Sequence, residues 1–169
     1  MKLIFWVVAA YVFSYPELIL YSNDDYHFEV KIPQQYKEES QRQEEKFGAT
    51  EYIKVSGREG GVGYTVVASR YESSETFRKS GADFQQLVTN HAKYVSEESF
   101  LKNSFVILGE HHTKNVLEYV VAEMGTEMGM IRRIYIRKEM TYSLSVYCKK
   151  EFITQENVEP FFKSLKIKP

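Results

Sequence analysis

From Tyr26 to Ile32 an apolar residue stands at every second position, with His27, Glu29 and Lys31 between them, and Pro33 closes the run. A period of two is that of a strand with one buried face, and a helical stripe would repeat every three to four residues instead. Similar strand-like segments follow at Tyr52 to Val55, Val62 to Tyr71, Phe105 to Leu108, Val116 to Glu123, Ile131 to Arg137 and Tyr142 to Cys148. Between the second and third of these runs, Gly57-Arg58-Glu59-Gly60-Gly61 supplies the glycines of a hairpin turn. Short links between the last four favour an antiparallel meander.

The period changes after Tyr71. Phe84, Leu87, Val88, His91 and Val95 recur at helical spacing, so residues from Gly81 to Glu97 are predicted to form an amphipathic helix with one face on the sheet. Near the end, Asn157 is suited to cap a short helix that tolerates Pro160 in its first turn and buries one of Phe161 or Phe162, and Ser164 to Ile167 adds a closing strand. Lys37 to Lys46 is dense in charge without an apolar stripe and reads as a solvated helical turn or an exposed loop. Together these elements predict an α+β domain: a single antiparallel sheet of six or seven strands covered by helices.

The first residues bear on location. Lys2 precedes an unbroken apolar run from Leu3 to Phe13, then Ser14, Tyr15, Pro16 and Glu17. A short positive start and a run below the roughly 20 residues of a membrane span describe a secretory signal. Residues 1–22 are therefore read as a signal segment and 23–169 as one domain, with cleavage placed between Tyr15 and Asn23. The expected location is periplasmic or secreted, with no stable membrane insertion after processing. The two competing readings are an uncleaved anchor lengthened by Leu18-Ile19-Leu20 and an integral element of the fold. No cysteine stands near this segment, so it has no lipoprotein signal.

In a chain of 169 residues, 43% hydrophobic and 15% aromatic residues suffice for one globular core. Lys plus Arg number 22 against 23 for Asp plus Glu, which removes the broad positive field of nonspecific nucleic-acid binding. The balance is uneven: Asn23 to Val62 holds 9 acidic and 6 basic residues, net −3, and Met130 to Pro169 holds 9 basic and 4 acidic, net +5. Cys148 is the single cysteine, so no intramolecular disulfide forms, and its place in an alternating run points it inward as an inert thiol.

Four groups of residues invite a chemical reading. Glu110-His111-His112 resembles metal-ligand material, yet neighbouring strand residues point to opposite faces and do not readily share an ion. Met124, Met128 and Met130 lie in a Gly-containing stretch that offers soft thioethers to Cu(I), with His111 or His112 alongside, against the plainer reading of a turn whose methionines fill an uneven core edge. Gly57 to Gly63 lacks the Lys-Ser/Thr pair of a phosphate loop, and neither a G-x-S-x-G elbow nor an H-E-x-x-H pair occurs. The thirteen tyrosines lie mostly in strands, as packing partners or as a contact surface. No catalytic, cofactor-binding or metal residue is assigned, and no cofactor is expected.

The run Tyr26-His27-Phe28-Glu29-Val30-Lys31-Ile32-Pro33 with Tyr36, the sequence Arg133-Ile134-Tyr135 leading to Tyr142-Ser143-Leu144, and the tail from Val158 to Ile167 together resemble the PsbP-like superfamily of PsbP, Mog and DcrB-type α+β domains. The resemblance covers most of the chain after the leader as a pattern of residue types. It implies an accessory or binding role without chemistry, and no functional residue follows from it. The expected function is thus an exported, non-catalytic binding or accessory protein acting on a protein or small ligand, with a Met-loop Cu(I) carrier and a hydrolase assembled from distant residues as alternatives.

Overall fold

The computed structural model describes residues 17–46, 48–79, 105–113, 116–123 and 126–169. Within them the strands are β1 (Leu18–Asn23), β2 (Phe28–Pro33), β3 (Tyr36–Glu45), β4 (Gly48–Glu59), β5 (Val62–Tyr71), β6 (Phe105–Thr113), β7 (Val116–Glu123), β8 (Met128–Arg137), β9 (Met140–Lys149) and β10 (Lys166–Ile167). Helix α1 (Ser74–Lys79) follows β5. Helix α2 (Gln155–Lys163) follows a 3-10 turn at Lys150–Phe152 and precedes β10.

The strands form two antiparallel sheets, one of seven strands in the order β3-β4-β5-β9-β8-β7-β6 and one of three in the order β1-β2-β10. This corrects the expectation of a single sheet covered by helices. The described helices are short, and the layer beside the large sheet is shared between α2 and the small sheet. The physical reason lies in β1. Its residues Leu18 to Ser22 fall in the segment read as a leader, and without them β2 looks like one more strand of the main sheet. The predicted helix from Gly81 to Glu97 lies outside the described residues, as do Met1 to Pro16. Among the described residues no helix is long and apolar enough to cross a membrane.

The core follows from alternation. Phe28, Val30 and Ile32 on β2 are fully buried against Val55 on β4, Val66 on β5 and Leu144 on β9, which are equally inaccessible. Aromatic edges lock the layers: Phe28 meets Tyr142 at 5.9 Å between ring centroids, and Tyr64 meets Phe161 at 5.1 Å. Tyr21 of β1 is 7% exposed and belongs to this cluster.

Two local readings also change. Lys37 to Glu45 is strand, paired residue for residue with β4 from Tyr36↔Gly57 to Glu45↔Gly48. An edge strand with both flanks in water needs no apolar stripe, and its charges guard the open edge against foreign strands. Helix α2 starts earlier than predicted: the Thr154 side chain accepts the backbone N–H of Asn157, so Thr154 is the cap, Pro160 lies inside the helix, and both Phe161 and Phe162 are buried. The β4–β5 hairpin forms as expected, with its tight turn at Gly60-Gly61, where φ of +57° and +81° demand glycine.

Candidate functional site: a cationic trough on the large sheet

The alternation that buries Val55, Val66, Leu144 and Ile131 sends their strand neighbours to the opposite face of the large sheet. Register arranges those neighbours in three rows. Lys54 stands opposite Val67, and Val67 opposite Ser143. In the next row Ser56, Thr65, Ser145 and Arg132 follow one another from β4 to β8. The third row is Arg58, Gly63, Tyr147 and Met130. These residues, with Gly57 and Tyr64, line a trough of about 710 Å³. Helix α1 sits at the other end of the strands, where Phe77 packs edge-on against Tyr71 at 5.3 Å.

Gly63 sets the depth of the trough. It has no positive φ, and a Cβ placed there would meet the Tyr147 carbonyl oxygen at 3.7 Å and its Cβ at 3.8 Å, ordinary contact distances. The backbone therefore does not demand glycine here. What its missing side chain leaves is space in the middle of the third row.

The electrostatics of the lining are one-sided. Lys54, Arg58 and Arg132 are cationic, and among the described residues the lining holds no Asp, Glu, His or Cys. Arg132 donates from Nε to Ser145 Oγ at 2.8 Å and from an Nη to Met130 Sδ at 3.7 Å, which fixes its guanidinium over the β8–β9 side. Lys54 Nζ is drawn the other way, to Glu39 Oε2 on β3 at 3.3 Å. Arg58 forms no ion pair among the described residues. Between these cations lie the hydroxyl groups of Ser56, Thr65, Ser143 and Ser145. Such a lining has donors for an anion.

A second charged group lies on the core-facing side and serves architecture. Arg133 on β8 bonds Glu118 on β7, reaches Glu159 on α2 at 2.6 Å, and lies 4.4 Å from the centre of the Phe162 ring. Burial opposes the Arg133 charge, but hydrogen bonds to Glu159 and Glu118 outweigh it and raise its pKa. The bond from Arg133 holds the Glu159 carboxyl below its ordinary range.

The residues singled out in the sequence fall as follows. Met128 and Met130 alternate along β8, and Met130 lines the trough with the Arg132 cation against its sulfur. Met124 lies outside the described residues. His111 pairs with Glu118, which pairs with Arg133, and His112 pairs through Leu117 with Ile134. Register thus sets both histidines two strands from β8 and three or four residues along from Met130, about 14 Å or more between Cα atoms. No group of three His, Cys, Asp or Glu able to hold a metal occurs among the described residues. Cys148 faces the core and is 2% exposed; burial pushes its thiol up to about 11. The trough residues were missed because Lys54, Ser56, Thr65 and Ser145 look like the wetted side of any half-buried strand. The available signal was a run of small hydroxyl residues, rather than long charged ones, at the polar positions of β5 and β9.

No protein-family model matches the chain, and no curated protein matches it. Among solved structures it is similar to the cyanobacterial PsbP (CyanoP) of Synechocystis sp. PCC 6803, determined in solution, with 12% identity, a TM-score of 0.47, and coverage of 92% of this chain and 95% of that one. No residue role or activity is carried over from it.

Proposed function

We propose that this is an exported, non-catalytic binding or accessory protein that takes an anionic ligand in the trough of the large sheet. The observation that carries the reading is the composition of the lining among the described residues: three cations, four aliphatic hydroxyls and no acidic side chain around about 710 Å³ of space. A carboxylate or phosphate entering it gains charge-assisted hydrogen bonds without meeting a like charge. Export rests on the apolar run Leu3 to Phe13 after Lys2.

The test is titration of the 17–169 chain with citrate and with inorganic phosphate, followed by amide NMR. Shifts concentrated at Ser56, Gly63, Thr65, Ser145 and Arg132, abolished in Gly63→Val, are the expected result. Shifts spread over the surface lysines, or unchanged in Gly63→Val, would remove the trough from consideration.

A further inference from the structure

Building on the reading of the trough as an anion site, we infer that its ligand is an extended acidic oligosaccharide laid across the strands, and not a compact anion. The argument is one of spacing. Arg58 and Lys54 stand on β4 and Arg132 on β8, and the order β4-β5-β9-β8 puts three strand spacings between them. At about 4.8 Å per spacing the Cα positions are about 14 Å apart.

Side-chain geometry does not close that gap. Lys54 leans outward to Glu39 on β3, which widens the gap, while Arg132 is held over Ser145 on β9, which takes up at most one of the three spacings. The two cations therefore stand on opposite sides of the trough. A single carboxylate or phosphate, only a few ångströms across, cannot touch both. Two anionic groups joined by a neutral spacer can.

The floor between them selects the spacer. Ser56, Thr65, Ser143 and Ser145 present hydroxyls, and Gly63 leaves room above the sheet where a ring could lie. Hydroxyls that both donate and accept match the hydroxyls of a sugar. An acidic peptide would instead seek pockets for its side chains or an open strand edge for its backbone. The trough lies inside the sheet, four strands being used in its rows, with β4 already paired to β3.

The experiment uses the 17–169 chain with four probes: galacturonate monomer, its linear tetramer, tetra-glutamate and citrate, each measured by calorimetry with NMR mapping. The expected result is a tetramer affinity at least about tenfold above that of the monomer, since a second anchored group acts at high effective concentration. It is lost in Gly63→Val and weakened severalfold in Arg58→Gln, an exposed change that leaves the thermal midpoint unmoved. Equal affinity for monomer and tetramer, with shifts still at the trough, overturns the extended ligand and leaves the anion site standing. Tetra-glutamate binding as tightly as the uronate tetramer overturns the choice of sugar. If no probe, citrate included, shifts the trough, the inference and the proposed function fail together.

Discussion

Lys138 and His27 are the non-glycine residues with positive φ among those described, at +54° and +52°. Lys138 opens the two-residue turn of the β8–β9 hairpin, between Arg137 and Met140, where the twist of the strands selects a left-handed first position. An L residue there costs about 1 kcal/mol or more that glycine does not pay. Lys138→Gly is therefore expected to raise stability by about 0.5–1 kcal/mol in urea unfolding, after the entropy glycine adds to the unfolded chain. A loss of stability would show that the Lys138 side chain has a role beyond the turn. Cys148 makes a second residue-scale prediction. With its thiol buried and raised to about 11, it should react with a disulfide reagent only as fast as the protein unfolds, and rapid labelling of the native protein would contradict the burial described. Its inward direction was legible in the sequence because alternation alone decides it. The identity of its cross-strand neighbour was not, since Gly129 comes opposite it only through the β8–β9 pairing.

At the scale of elements, α2 is fastened by Val158, Phe161 and Phe162 below and by the Glu159–Arg133–Glu118 network at its edge. The side chains of the three charged residues are 17–24% exposed, so their bonds are only partly screened by solvent. Arg133→Met is expected to destabilise by about 2 kcal/mol, because it strands two half-buried carboxylates, and Arg133→Lys should recover only part of that. Glu159→Gln gives the pH dependence its sign. The folded pKa of Glu159 lies below its ordinary 4.5, so its contribution is present above 4.5 and lost as pH falls through the folded value. The stability difference between wild type and Glu159→Gln should accordingly shrink on acidification below about 4.5 in denaturant titrations; a constant difference would detach the stabilisation from ionisation. The elements themselves were mostly readable. The strands missed, β1 and β3, share one property: neither alternates cleanly, β1 because Leu18, Ile19 and Leu20 are apolar in succession and β3 because water bathes both of its faces; helix α1, six residues long, is too short for its period to show.

The whole molecule depends on strands that the sequence does not place side by side. Period-two patterning tells which face of a strand is buried and is silent about which sheet it joins, so the small sheet emerged only with β1 paired along its whole length to β2, from Leu18↔Pro33 to Asn23↔Phe28. That pairing sets a limit on processing. Removing residues before Leu18 leaves β1 whole, and a chain beginning at Asn23 loses Tyr21 from the core and is expected to be less stable by about 3–5 kcal/mol. If the chain is exported and processed as proposed, sequencing of the mature product's first residues should place the cut at or before Glu17; a native product starting at Asn23 with full stability would refute the structural weight given to β1.

The tail strand β10 meets β2 at Ile167↔Phe28, and Lys168 reaches back to Asp24 at 2.7 Å. Closing that ring requires the chain to have left the ribosome as far as Lys168, and joining β5 to β9 requires it as far as Tyr147. High contact order of this kind slows folding and leaves Phe28, Val30 and Ile32 without their final cover until α2 and β10 have been made. For the export proposed here, a nascent chain held open so long is a good passenger for a translocation pore, which threads only what has not yet set.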